Sequence, residues 1–256
     1  MNHRRSRREQ RWSAPSQVPT HGFLITGENG VLQCLRSPHV KVERLWLDRK
    51  AADWLKRENL RVVVDVEPLI KGETPFGPAT QGCAAWVKPP DWGDWEDVLE
   101  RQDTNLILVL DQVEDPMNLG QIIRTCEGAG VQAIFLPDRR SVHVNQMAAQ
   151  VSQGAFAWLP VFDVGNLKQA LDRAKERGFW MIGAEHCPDA QPWHEPDYRG
   201  RICFVLGSEG RGLRRLTRET CDHLVYLSMS GHVNSLNVGA ATSALIYEAL
   251  RQRSRE

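Results

Sequence analysis

The chain has 256 residues, 41% of them apolar and 25% charged, ordinary for a globular protein of one large or two small domains. No apolar run approaches the ~18 residues of a helical membrane span, and no signal-peptide core stands near the N-terminus, so a cytoplasmic protein with no membrane partner is expected. Its 32 basic residues balance 32 acidic ones, which gives no net pull toward nucleic acid, although Arg4, Arg5, Arg7, Arg8 and Arg11 gather positive charge at one end and Arg251, Arg253 and Arg255 at the other.

Residues 1–20 are polar and rich in Arg, Ser and Pro without an apolar period, so they are expected to form a disordered basic tail. Residues 21–90 read as a small α/β unit. It has a short helix beginning at Gly30-Val31-Leu32, a strand over Val42–Leu47, a helix around Asp53-Trp54-Leu55, a strand in the β-branched run Arg61–Val66 and another over Cys83–Val87. The Pro-, Gly- and Trp-rich stretch from Pro89 to Trp95 breaks regular structure, and 91–103 is expected to be a linker. From 104 to 256 strands alternate with helices. Strands are expected at Leu106–Leu110, Ala133–Leu136, Trp180–Ala184, Ile202–Leu206 and Leu224–Leu227. A helix is written in the spacing of Leu167, Ala170, Leu171 and Ala174, ended by Gly178, and a last one runs from Val238 to Leu250. The fold class is therefore α/β, with a largely parallel sheet covered by helices on both faces.

The six cysteines form no C-x-x-C pair and stand beside no histidine at zinc spacing. They are expected to be reduced and mostly buried. His143, His186, His194, His223 and His232 show no metal-ligand spacing either, so no metal is expected.

Three segments rich in Gly, Asn and Ser fall at strand ends, where ligands bind in open parallel sheets. The first runs from Asp115 through Asn118, a natural N-cap, to Arg124 on the following helix. The second is Gly207-Ser208-Glu209-Gly210-Arg211-Gly212, whose glycines permit a tight turn and close backbone approach to a ligand. Its G-x-x-G-x-G order does not fit a dinucleotide fingerprint, and no Walker lysine is present. The third, Leu227-Ser228-Met229 through Ser235-Leu236-Asn237, is a polar loop leading into an Ala-rich helix, and Ser235 has no nucleophile elbow around it. Taken singly, these also suit a capped helix with a surface arginine and a plain glycine turn.

In this order, however, the three segments resemble the motifs of the SPOUT superfamily, in its TrmH/SpoU branch of RNA ribose 2′-O-methyltransferases. The resemblance covers residues 104–254, and Gly212–Glu219 and Ala249–Ser254 are most similar to members that act on a guanosine ribose in 23S rRNA. The unit around Gly27–Leu32 more loosely resembles a small L30e-like ribosomal-protein domain that binds RNA.

The resemblance implies a deep trefoil knot and a homodimer with residues of both chains at each site. It implies S-adenosylmethionine as methyl donor, RNA (23S rRNA or a ribosome precursor) as partner, and no DNA. By position, Gly207, Leu227 and Leu236 would hold the donor, with Gly210 and Met229 beside them, and Asn118, Arg124, Glu209, Ser235 and Asn237 would form the catalytic polar set. A guanidinium ionising above ~12 is a poor base, so Arg124 is expected to anchor phosphate and hold the hydroxyl. Ser228 stands where the family usually has Pro, Gly239 where Ser is common, and Thr80 where His is frequent. The competing readings are a tRNA ribose methyltransferase of the same superfamily, a non-catalytic RNA-binding assembly factor and, disfavoured by the glycine order, a nucleotide-dependent oxidoreductase.

Overall fold

The computed structural model describes residues 21–254 apart from 61, 209 and 234. The basic tail expected at 1–20, and Glu209, therefore lie outside the described residues.

The first unit begins with strand β1 (Phe23–Thr26) and helix α1 (Glu28–Arg36), entered through Gly27 at φ 91°. Strand β2 (Lys41–Leu47) feeds helix α2 (Arg49–Arg57), which Asp48 caps by accepting from the Ala51 N–H at 2.7 Å. Short strands β3 (Val66–Pro68), β4 (Glu73–Thr74) and β5 (Gly77–Pro78) precede β6 (Cys83–Lys88). The sheet order is β1-β6-β2-β3, with β6 antiparallel to both neighbours and β3 parallel to β2. The strand expected over 61–66 is corrected here. Only Val66 reaches the β2 edge, residues 62–65 have no ladder partner, and Val63 is 87% exposed. β-Branched side chains favour a strand only where a ladder and an apolar face await them.

The stretch 91–103 carries helix α3 (Trp95–Glu100), capped by Asp94, with Val98 and Leu99 buried. Beyond it come β7 (Leu106–Asp111), α4 (Pro116–Gly128), β8 (Ala133–Pro137), α5 (Gln146–Val151), a 3₁₀ turn (Ala155–Ala157) and β9 (Val161–Val164). Then follow α6 (Leu167–Glu176), β10 (Trp180–Ala184), β11 (Gln191–Pro192), β12 (Ile202–Gly207), α7 (Arg215–Thr220), β13 (His223–Tyr226) and α8 (Val238–Arg253). The strands form one all-parallel sheet of seven, ordered β11-β13-β10-β12-β7-β8-β9. Alternate residues of β7 serve opposite faces. Leu106, Leu108 and Leu110 join the core that includes α4 and α8, whereas Ile107 and Val109 join the core that includes α3 and α6.

The two units share the first of these cores, in which Ile25, Val31 and Leu45 belong to the same cluster as Leu119, Ala148 and Phe156. The seam is also polar. Gln146 accepts from the Leu24 N–H at 2.7 Å and donates to the Leu24 carbonyl at 2.6 Å. Gln150 repeats this with Thr26 at 2.9 and 3.0 Å. Four residues of helix advance about 6 Å and two residues of strand about 6.7 Å, so the two amides meet alternate residues of the β1 edge. That edge, which would otherwise present unpaired backbone groups, is closed by side chains.

Candidate active site

The carboxyl ends of β7, β10, β12 and β13 open on one side of the sheet, and the three motif segments meet there. Between them lies a cavity of about 700 Å³, walled by Ala184 at the end of β10 with Glu185 and His186 after it, Gly207 and Ser208 at the end of β12, Gly210–Gly212, and Ser235–Val238 before and at the start of α8. A smaller cavity of about 160 Å³ shares Glu185, Ser235 and Leu236 with it and adds Leu227 and Met229. Of the expected donor-binding residues, Gly207, Gly210 and Leu236 line the first, and Leu227, Met229 and Leu236 the second.

The glycine turn is a closed device. The Gly212 N–H donates to the Ser208 carbonyl at 3.1 Å, and Gly210 and Gly212 sit at φ 82° and 65°. At Gly207 a Cβ would lie 2.1 Å from the Gly212 carbonyl oxygen, so no side chain fits there. The turn is held from below by Asp111, fully buried at the end of β7, which accepts from Arg214 Nε at 2.6 Å and from the Arg214 N–H at 3.2 Å.

Asn118 is not the N-cap expected from the sequence. Asp115 caps α4 by accepting from the Met117 N–H at 2.9 Å, Pro116 takes the first position, and Asn118 is the third residue of the helix. Asn118 is buried and accepts from Asn237 Nδ2 at 2.9 Å, while Asn237 Oδ1 caps α8 through the Gly239 N–H at 2.8 Å. One asparagine pair thus joins the first motif to the third across 119 residues of chain. Gly239 suits this cap, because a Cβ there would stand 3.1 Å from Asn237 Oδ1.

Beside the larger cavity lies a polar one of about 310 Å³ that shares Ser208, Arg211 and Val238 with it and adds Gln112, Asp115, Asn118 and Arg140. Gln112 and Arg140 hold the left-handed backbone conformation, at φ 67° and 57°. Arg124 lies on the exposed side of α4, has no ion pair among the described residues, and lines none of these cavities within one chain. No group of His, Cys, Asp and Glu among the described residues is arranged to hold a metal ion.

Sequence reasoning missed Glu185, His186, Arg211 and the Asp111–Arg214 pair. The rule that ligands bind beyond strand ends pointed at 185 and 186, since β10 was expected to stop at Ala184. The pairing of Asp111 with a residue 103 positions away left no local signal.

Residues 105–247 match the SpoU rRNA Methylase family. A relative from Staphylococcus haemolyticus, assigned to the TrmH family of tRNA/rRNA methyltransferases, is 33% identical over 90% of this chain and 96% of its own. Among solved structures, an RNA methyltransferase assigned to the TrmH family from Porphyromonas gingivalis is 26% identical, with a TM-score of 0.71 over 92% of this chain and 91% of that one. The SpoU methyltransferase AviRb from Streptomyces viridochromogenes, solved with AdoMet, shares the fold with a TM-score of 0.73 at 24% identity over 91% of each chain. Since the match spans the parallel sheet and every motif segment of the site, and the Staphylococcus relative extends it through the first unit, this chain belongs to the SpoU rRNA methylase family.

Proposed function

We propose that this protein transfers the methyl group of S-adenosylmethionine to a ribose 2′-oxygen in RNA, a guanosine of 23S rRNA being the favoured acceptor. The observation that carries the reading is the cavity formed beyond the strand ends where Gly207, Leu236 and the glycine turn converge, with Gly207 packed directly on the Gly212–Leu213 backbone so that the turn stays closed at its edge. A concave site of this size, with apolar Leu236, Val238 and Ala241 beside a few polar groups, suits a planar heterocycle with its own donors and acceptors. When bound, the donor supplies an electrophilic sulfonium methyl. The chain's residues must then orient the ribose hydroxyl in line with that methyl and receive its proton.

The polar cavity that adjoins the donor cavity is the place for the acceptor nucleotide. Arg140 and Arg211 stand in its wall to meet phosphate, and the Asn118–Asn237 pair marks where the two cavities join. Ser235 borders the donor side. Arg124 would join them from a second copy of the chain. It is exposed on α4, and the neighbouring exposed Met117 and Tyr247 give the α4–α8 face apolar surface for a homodimer. A threaded C-terminal end belongs to the same reading. The chain leaves β13 beyond β10 and returns to pack α8 on α4 and β12, crossing the strand ends on the way. The first unit would grip RNA beside the site, held at a set distance by its seam with α5.

The experiment is calorimetric titration with S-adenosylmethionine, followed by methyl transfer to unmodified 23S rRNA and tRNA transcripts with mapping of the product. Methylation of a 23S guanosine 2′-oxygen is the expected result. Transfer to tRNA would replace the acceptor, and donor binding without transfer to either RNA would overturn it. Failure to bind the donor would favour a non-catalytic RNA-binding factor.

A further inference from the structure

We propose that Glu185 is a binding residue for the methyl donor, a role that rests on the donor reading above, with its carboxylate accepting a hydrogen bond from an N–H or O–H group of that ligand. Glu185 is the first residue beyond β10, and its N–H is tied to the Val225 carbonyl at 2.9 Å, so the side chain springs from fixed backbone. It contributes to the walls of both the larger and the smaller donor cavity, and it is the only carboxylate among the described residues that line them.

Its two oxygens have different surroundings. Oε1 lies 3.0 Å from the point a Cβ on Gly212 would occupy, so it abuts the glycine turn. Oε2 is buried and receives no hydrogen bond from the described residues. Arg218 Nε stands 3.3 Å from Oε2 as an ion-pair partner without donating a hydrogen bond to it. A carboxylate can accept about four hydrogen bonds, and leaving them unmade away from water is costly. S-adenosylmethionine brings an ammonium group, two ribose hydroxyls and an adenine amine, any of which satisfies such an acceptor. S-adenosylhomocysteine carries the same donors but no sulfonium charge.

The test is calorimetric titration of wild type, Glu185→Ala, Glu185→Gln and Arg218→Ala with S-adenosylmethionine and with S-adenosylhomocysteine, alongside the melting temperature of each ligand-free protein. Glu185→Ala is expected to weaken both ligands alike, by on the order of tenfold or more, the usual scale for a hydrogen bond to a charged group. Arg218→Ala, which breaks the ion pair without removing the acceptor, should lower the melting temperature and leave affinity within a few-fold. Wild type that binds neither ligand would overturn the donor reading itself. Wild type that binds, with both Glu185 variants within twofold of it, would overturn only the role given to Glu185 and leave it as the partner of Arg218. A loss confined to S-adenosylmethionine would replace the hydrogen bond with pairing to the sulfonium charge. Glu185→Gln, nearly isosteric, carries the comparison if the alanine variant does not fold.

Discussion

At the scale of single residues, the glycine at 207 and the thiols give the sharpest tests. Gly207→Ala would drive a Cβ into the Gly212 carbonyl 2.1 Å away, and because that contact is backbone, the turn must open. Strain of about 1–3 kcal/mol is expected from such overpacking. Calorimetry should show donor affinity falling on the order of tenfold or more, since the displaced backbone forms the cavity wall. Burial pushes the thiols of Cys34, Cys83 and Cys221 up to about 12, and those of Cys126 and Cys203 are raised as well. Native protein treated with a thiol reagent at pH 8 should therefore react first at the half-buried Cys187, and Cys187→Ser should remove that fast phase. The sign of the linked pH effect follows. Unfolded thiols ionise near ~8.5, before the folded ones, so stability is intact below that pH and falls as pH rises toward about 12, which equilibrium unfolding would follow. What the sequence disclosed at this scale is what a turn demands locally. Gly207 was legible from its turn, but the cap expected at Asn118 belongs to Asp115, and Asn237 was marked by the family motif without its cap being foreseen. Glu185, an ordinary glutamate after a strand, acquired meaning only when Arg218 and Gly212 were brought beside it.

Among the elements, α4 and α8 are coupled through asparagine side chains, and the coupling can be divided from the cap. Asn237→Asp keeps an oxygen to accept from the Gly239 N–H but sets a carboxylate where Nδ2 had donated to Asn118. Asn237→Ala removes both and should cost about 0.5–2 kcal/mol by denaturant unfolding, the usual cost of a lost N-cap. Asn237→Asp should retain most of the cap's contribution, yet methyl transfer should fall in both variants if Asn118 must be held. Full activity in the aspartate variant would show that the asparagine contact is dispensable. The central strands β7, β8, β10 and β12 were legible because a strand buried on both faces must be apolar throughout. Strands β1 and β9, of four residues each, and helices α5 and α7, of six, were not, because such lengths hold too few repeats for a period to stand out. The run 61–66 misled for the opposite reason. Its composition favours a strand, but the β2 edge is reached only from Val66.

For the whole molecule, the question is whether the two units unfold together. Their apolar residues form one cluster across the seam, and four amide hydrogen bonds from Gln146 and Gln150 close the β1 edge from the other unit. Neither could be read from the sequence, where a Pro- and Gly-rich break after residue 88 suggests separate bodies and two glutamines in a short helix look like surface residues. Each such hydrogen bond contributes about 0.5–1.5 kcal/mol, so together they hold the first unit by about 2–6 kcal/mol, a sizeable fraction of the usual net stability of a domain. Scanning calorimetry of the full chain should show one transition in which the calorimetric and van't Hoff enthalpies agree. In Gln146→Ala/Gln150→Ala the backbone groups of Leu24 and Thr26 lose their partners, so hydrogen exchange at those amides should accelerate before any change reaches β7 or β12. Should the double variant melt in two steps where the wild type melts in one, the glutamines are the coupling. If both melt in one step and β1 exchanges equally slowly in each, the shared apolar cluster alone joins the units and the amides add only register. Two transitions already in the wild type would show that the seam, though continuous, does not carry cooperativity, and the first unit would then be free to meet RNA before it docks.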